Sequence, residues 1–298
     1  MERLLERSHF VSELEHIIPC RNTLGEGPIW SVDKQVVYWL DIVPDGRYYR
    51  FDPTSDHYEP VSLGAYTTAM AERVSGGFVM TTRKSFAFWD EEKKEFQPIA
   101  EPFTDQPSVR FNDAMVDCKG RFWAGTMGEG TDVPSGSLYR LDPDLSIHVM
   151  LTDIALSNGL GWNPENTIMY FTDSLKHTIY AFDFDAETGN ISNQRVFAET
   201  TDGSEPDGLS VDSEGYVWSA HWNGSRIVRY APDGAVERIL DLPVKRPTSC
   251  VFGGPGLNEL YITSAAVNEA ERDQYPLSGD LFRLKTDIKG QAKYKFAG

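Results

Sequence analysis

Six polar residues recur at one offset along this chain: Glu26, Thr68, Asn112, Asn158, Asp207 and Ser249, separated by 42, 44, 46, 49 and 42 residues. Two are carboxylates and two are carboxamides. Oxygen donors of this kind suit a hard divalent cation such as Ca²⁺, Mg²⁺ or Mn²⁺, and zinc less obviously. The same six could instead line a hydrated channel, bonded to ordered water and loop backbones, since a polar ring is expensive to bury dry. Spacing leaves both readings open. In Val109-Arg-Phe-Asn-Asp113 the side chains of Arg110 and Asn112 leave an extended strand on one face. Arg110 at a channel mouth could hold a polar or anionic substrate. Taken from the residues alone, a salt bridge to Asp113 or Glu129 is the simpler reading.

The elements that must position these residues follow from the repeat. Each polar residue leads a short apolar run. A turn of Asp, Gly or Asn follows, then an aromatic-rich run such as Val36–Trp39 or Ile168–Phe171. A third run, such as Arg47–Asp52 or Thr178–Asp183, closes the unit. Six copies at a period near 45 residues are the signature of an all-β, six-bladed β-propeller with four-stranded antiparallel blades around a central channel. Such a ring is one domain, here residues 1–298, because each sheet buries its faces only against its neighbours. Residues starting the innermost strands then converge on the axis. Only the first 18 residues, with Leu4, Leu5, Phe10, Val11 and Leu14, carry a pattern for a short helix, and residues 1–12 are expected as a helix or tail. Two segments compete to complete the last blade, Glu15–Cys20 and Lys293–Phe296.

Composition narrows the partners. Of 298 residues, 40% are hydrophobic and 24% charged, as in an ordinary globular protein. The net charge of −17 argues against nucleic acid and anionic membrane surfaces. Cys20, Cys118 and Cys250 form no metal or disulfide pattern and read as three reduced, buried thiols of a cytoplasmic protein. No secretory leader and no membrane span are read from the sequence. The Gly-x-Ser-x-Gly elbow of serine hydrolases is missing. His177 and His221 read as structural histidines near the mouth.

An ordered set of motifs carries a resemblance: Leu24-Gly-Glu-Gly-Pro-Ile-Trp30, Arg110-Phe-Asn-Asp113, Gly120-Arg-Phe-Trp-Ala-Gly-Thr-Met127, Leu156-Ser-Asn-Gly-Leu160, Tyr170-Phe-Thr-Asp-Ser174, Glu205-Pro-Asp-Gly208 and Thr248-Ser-Cys-Val-Phe-Gly253. Together, over about residues 13 to 290, they resemble the SMP-30/gluconolactonase family of regucalcin-like sugar lactonases. The resemblance implies one divalent cation, Ca²⁺ first among candidates that include Zn²⁺, Mn²⁺, Mg²⁺ and Fe²⁺, held by Glu26, Asn158 and Asp207. It implies substrate binding by Arg110, Asn112 and Glu129. The expected activity is hydrolysis of a small-molecule sugar lactone to the aldonic acid, with Asp207 as general base. The alternatives are a calcium-binding protein without relevant catalysis, and a metal-dependent hydrolase of another ester or an organophosphate.

Overall fold

Aromatic and β-branched side chains dominate the repeated runs, and each run forms a strand because such side chains fit a pleated, half-buried surface. In the computed structural model, which describes residues 14–130 and 135–298, the strands make six four-stranded antiparallel sheets. These are the expected six blades. Their innermost strands, in chain order, are Gly25–Ser31, Thr67–Glu72, Val109–Val116, Ser157–Trp162, Glu205–Val211 and Arg246–Gly253. Each begins at or within a few residues of the ring position read from the repeat. Blades one to five are simple meanders from inside to outside.

The sixth blade is closed by the other end of the chain. Leu14–Ile18 pairs antiparallel with Leu281–Lys285, with Leu14 opposite Leu284 and Ile18 opposite Leu281. Arg283 adds a clasp, its Nε donating to Glu15 at 3.0 Å. Residues 14–18 are therefore strand and not part of a helix; the helix or tail expected over 1–12 lies outside the described residues. The competing segment has another task. Residues 290–298 cross the end of the channel opposite the mouth. Gln291 donates to the carbonyls of Trp162, Val211 and Asp212. Phe296 N–H bonds to Glu72 O, and Ala297 N–H to Gly120 O.

Six buried apolar clusters hold the ring, one at each blade-to-blade seam. The first and second blades share Tyr38, Met70 and Phe78; the second and third share Phe86, Phe111 and the tail's Phe296. The third and fourth join through Trp123 and Trp162, the fourth and fifth through Tyr170 and Leu209, and the fifth and sixth through Trp218 and Phe252. The sixth and first close the circle with Ile18, Trp39 and Tyr261. No single blade could bury its faces alone.

Every innermost strand also slips register against its neighbour at the ring position, between Glu26 and Ile29, Thr67 and Ala69, Phe111 and Ala114, Asn158 and Leu160, Pro206 and Leu209, and Pro247 and Ser249. A bulge leaves a residue unpaired and re-aims its side chain. Six bulges at one level give the channel its inward-pointing polar groups.

Candidate active site

Four of the six ring residues face one cavity of about 200 Å³: Glu26, Asn112, Asn158 and Asp207, with Arg110 beside them. The other two do not line it. Thr68 is buried and its hydroxyl is 2.7 Å from that of Thr81, and Ser249 is buried against Gly208 of the neighbouring blade. Leu24, Ile42, Met127, Leu156 and Trp222 supply an apolar wall, and Glu205 and Ser174 add polar groups.

One directed chain of hydrogen bonds sets the orientation of the amides. Arg110, which can only donate, gives Nη1–H to Asn112 Oδ1 at 2.7 Å. Asn112 Nδ2 is thereby turned to donate to Asn158 Oδ1 at 2.9 Å. Asn158 Nδ2 donates to Ser174 Oγ at 2.9 Å, and Ser174 donates to the Pro206 carbonyl at 2.6 Å. A permanent donor at one end and a permanent acceptor at the other leave one consistent assignment for both amides. Asn158 Oδ1 keeps a lone pair free.

The carboxylates are in the opposite condition. Asp207 is 4% exposed, and its buried Oδ1 has no partner among the described residues. Glu26 Oε2 accepts only the adjacent Gly27 N–H, at 3.0 Å. Glu26 lies deep in the protein while keeping part of its surface on the cavity. Burial, and then the charge of Asp113, push its carboxyl up to about 8, against the pull of Gly27 N–H and Arg110. Asp207 is raised well above the usual carboxylate range by burial and by the charges of Glu26, Asp113 and Glu205. Asp113, re-aimed by the bulge, is itself pushed to about 6 by burial. Two carboxylates that repel each other in a low-dielectric site, one with an orphaned oxygen, beside a carboxamide oxygen with spare capacity, fit an oxygen-liganded divalent cation. Among the described residues no cluster of three His, Cys, Asp or Glu forms such a nest by itself; the amide is part of this set.

Other expected residues fall differently. Glu129 does not line the cavity. It sits behind Arg110, whose Nε lies 3.4 Å from its Oε1, and it is paired with Arg83 from blade two. Of the two partners open to Arg110, Glu129 is the one in salt-bridge contact. His221 is 1% exposed and its ring bonds to Ser204 and Tyr230, a structural histidine. Its neighbour Trp222 is the residue that reaches the cavity. His177 bonds the Ser204 carbonyl at 2.9 Å from a left-handed turn position. Cys250 is buried, but Cys20 and Cys118 are only half-buried, which corrects the expectation of three buried thiols; all three are free. No helix among the described residues is long and apolar enough to cross a membrane.

Residues 24–266 match the sequence profile described as the SMP-30/Gluconolactonase/LRE-like region. The chain belongs to that family. A 6-deoxy-6-sulfogluconolactonase of Pseudomonas putida is 37% identical over 289 residues, covering 96% of this chain and 99% of the relative. Regucalcin of Oryctolagus cuniculus is 34% identical over 296 residues, with 96% and 99% covered. Among solved structures, a luciferin-regenerating enzyme superposes with a TM-score of 0.89 at 28% identity, covering 96% of this chain and all of that one. Family membership, the propeller and the six-blade order thus agree, and the cavity lies where the family motifs converge.

Proposed function

We propose that this protein is a divalent-cation-dependent lactonase that opens a sugar lactone to its aldonic acid. The observation that carries the reading is the pairing, in one cavity, of two mutually repelling carboxylates with a guanidinium and an orienting amide chain. The 37% identical relative is named for a gluconolactone substrate, and the reading rests on that likeness for the lactone class. Glu26, Asn158 and Asp207 are the proposed cation ligands. Bound there, a divalent cation, Ca²⁺ being the first choice, supplies Lewis-acid polarisation of a lactone oxygen and offsets both carboxylate charges.

The chain's own groups do the rest. Arg110 holds the lactone's polar oxygens by charge-assisted donation from the wall of the cavity. Asn112 is fixed by Arg110 and so presents a rigid amide instead of a mobile one. Glu129, salt-bridged behind Arg110, keeps that guanidinium in place and is proposed to reach substrate hydroxyls at the rim. Water adds to the carbonyl carbon while the Asp207 carboxylate accepts its proton. The bond from that carbon to the ring oxygen then breaks, and the proton passes to the departing alkoxide. Leu24, Ile42, Met127, Leu156 and Trp222 exclude bulk water from the reacting face.

A panel of aldonolactones assayed before and after EDTA treatment, and again with each cation restored, tests the reading. Hydrolysis lost with the chelator and regained with cation is the expected result. Asp207→Ala should lower kcat/KM by at least about 100-fold, of the order found when a general base is removed, with the fold retained by circular dichroism. Tight Ca²⁺ binding with no hydrolysis of any lactone would favour the binding-protein alternative. Hydrolysis confined to other esters or organophosphates would favour the third.

A further inference from the structure

The innermost strands and the residues leading into them carry a second layer, two positions nearer the mouth than the polar ring. Reading back from each ring residue gives Leu24, Tyr66, Arg110, Leu156, Glu205 and Pro247. Four of these six line the cavity: Leu24, Arg110, Leu156 and Glu205. Only Arg110 and Glu205 are charged, and they stand on different blades, the third and the fifth. Arg110 is engaged through Nη1 and Nε by the Phe111 carbonyl, Asn112 and Glu129, with Nη2 left for substrate. Glu205 is not: none of its carboxylate oxygens takes part in a hydrogen bond or salt bridge among the described residues. The cation beside it, Arg246, is committed to Glu271 and stacked over Trp222 at 4.9 Å. Trp222 is the residue opposite Glu205 in the sheet, and both face the cavity. A half-buried, uncommitted carboxylate beside an indole face is a combination that suits a polyhydroxylated ring, with C–H groups against the indole and hydroxyls donating to the acid.

The charge balance of the pocket adds a second argument. Its walls carry Glu26, Asp207 and Glu205 against Arg110. A divalent cation on Glu26 and Asp207 would offset those two, while Arg110 shares Glu129 with Arg83. Glu205, with no cation at salt-bridge distance among the described residues, is the remaining acid that faces substrate. In a site of intermediate dielectric, a second negative charge brought close to it is disfavoured by tenfold or more.

We propose that Glu205 is a specificity-determining residue of this pocket: its carboxylate accepts hydroxyl hydrogens of a neutral, polyhydroxylated lactone seated against Trp222, and it rejects lactones bearing an anionic substituent on that side. The inference rests on the lactonase reading and deepens it. It parts from what the Pseudomonas putida relative is named for, a sulfonated lactone.

The test compares three lactones on the cation-loaded protein: a neutral aldonolactone, the same lactone with a 6-sulfonate, and δ-valerolactone, which has no hydroxyls. Affinities for the corresponding neutral and sulfonated lactams, read by calorimetry, accompany kcat/KM. The wild type should favour the neutral aldonolactone over the sulfonated one by about tenfold or more. Glu205→Gln keeps an acceptor oxygen and loses the charge, so it should narrow that ratio about tenfold, mainly by improving the anionic ligand. Glu205→Ala loses both, and should also cut the preference for aldonolactone over δ-valerolactone by about tenfold. A wild type that prefers the sulfonated ligand, or ratios unmoved in both variants, overturns the proposal. If no lactone is hydrolysed, the lactonase reading fails, and the lactam affinities still decide the role of Glu205.

Discussion

Glu26 and Asp207 destabilise each other, and this gives them a measurable signature. Both carboxyls hold their protons more readily in the fold than in the unfolded chain, Glu26 moving from 4.5 to about 8 and Asp207 in the same direction. The folded state therefore binds the extra protons. The stability they contribute is complete below pH 4.5 and is lost as pH rises through about 8. Thermal melts of EDTA-treated protein should thus show Tm falling by about 5–10 °C between pH 5 and pH 8. Glu26→Gln should flatten that slope and raise the cation-free Tm at pH 8, even as it abolishes cation-dependent activity. A slope unchanged by the substitution would remove Glu26 from this account. At this scale the sequence was informative where one offset repeats, as for Glu26, Asn112, Asn158 and Asp207. It offered Asp113 only as a salt-bridge partner for Arg110 and was silent on the roles of Ser174, Glu205 and Trp222. Asp113 is re-aimed by a bulge that period-two alternation does not foresee. Ser174 and Trp222 come from the ends of second strands, which carry no repeating polar signal. Glu205 sits one alternation above the ring, where the other blades have Leu, Tyr, Arg, Leu and Pro.

Strand runs, by contrast, were legible because aromatic and β-branched residues mark them in every copy, and the fourth, outermost strands were harder because they are exposed and polar, as in His57–Ser62 and Val236–Asp241. The closure of the ring could not be chosen from sequence. Lys293–Phe296 alternates polar and apolar residues and Glu15–Cys20 carries the β-branched pair Ile17-Ile18, so either could be a strand; what separates them is a tertiary fact: the edge of Leu281–Lys285 is free for one antiparallel partner. The first segment takes it. The second buries Phe296 completely among Phe88, Phe111 and their neighbours, while Lys293, pulled down to about 8 by burial, faces Asp113 and Cys250 from beneath. Each element carries its own prediction. Phe296→Ala should destabilise by about 3–5 kcal/mol, the usual cost of deleting a buried aromatic ring, read from urea midpoints at constant m. Removal of residues 1–18 uncovers the Leu281–Lys285 edge and the Ile18 contact with Trp39 and Tyr261. That truncation should give aggregated or poorly folded protein, and a soluble truncate melting with the full chain would show that the clasp is dispensable.

The proposed ligands are spread over the whole ring: Glu26 belongs to the first blade, Asn158 to the fourth and Asp207 to the fifth. Blades pack on their neighbours through the six apolar seams and are tied beneath by residues 290–298, so stability is close to a sum of blade, seam and tail contributions. Inward-facing carboxylates weaken that sum when no cation is present, because their repulsion acts across the axis. A cation bound at all three positions converts the repulsion into a link between non-adjacent blades. Binding to the folded state alone raises stability by about 2.7 kcal/mol at a hundred times Kd, which for a chain of this length moves Tm by roughly 4 °C. The shift should be larger at pH 8 than at pH 5, since at the lower pH the carboxyls hold protons that the cation must displace. It should saturate at one equivalent of cation. In Asp207→Asn, which keeps the shape and removes one charge, the shift should vanish, while the cation-free melt of the variant should match or exceed that of the parent. A cation-induced shift of equal size in Asp207→Asn would place the binding site elsewhere in the molecule.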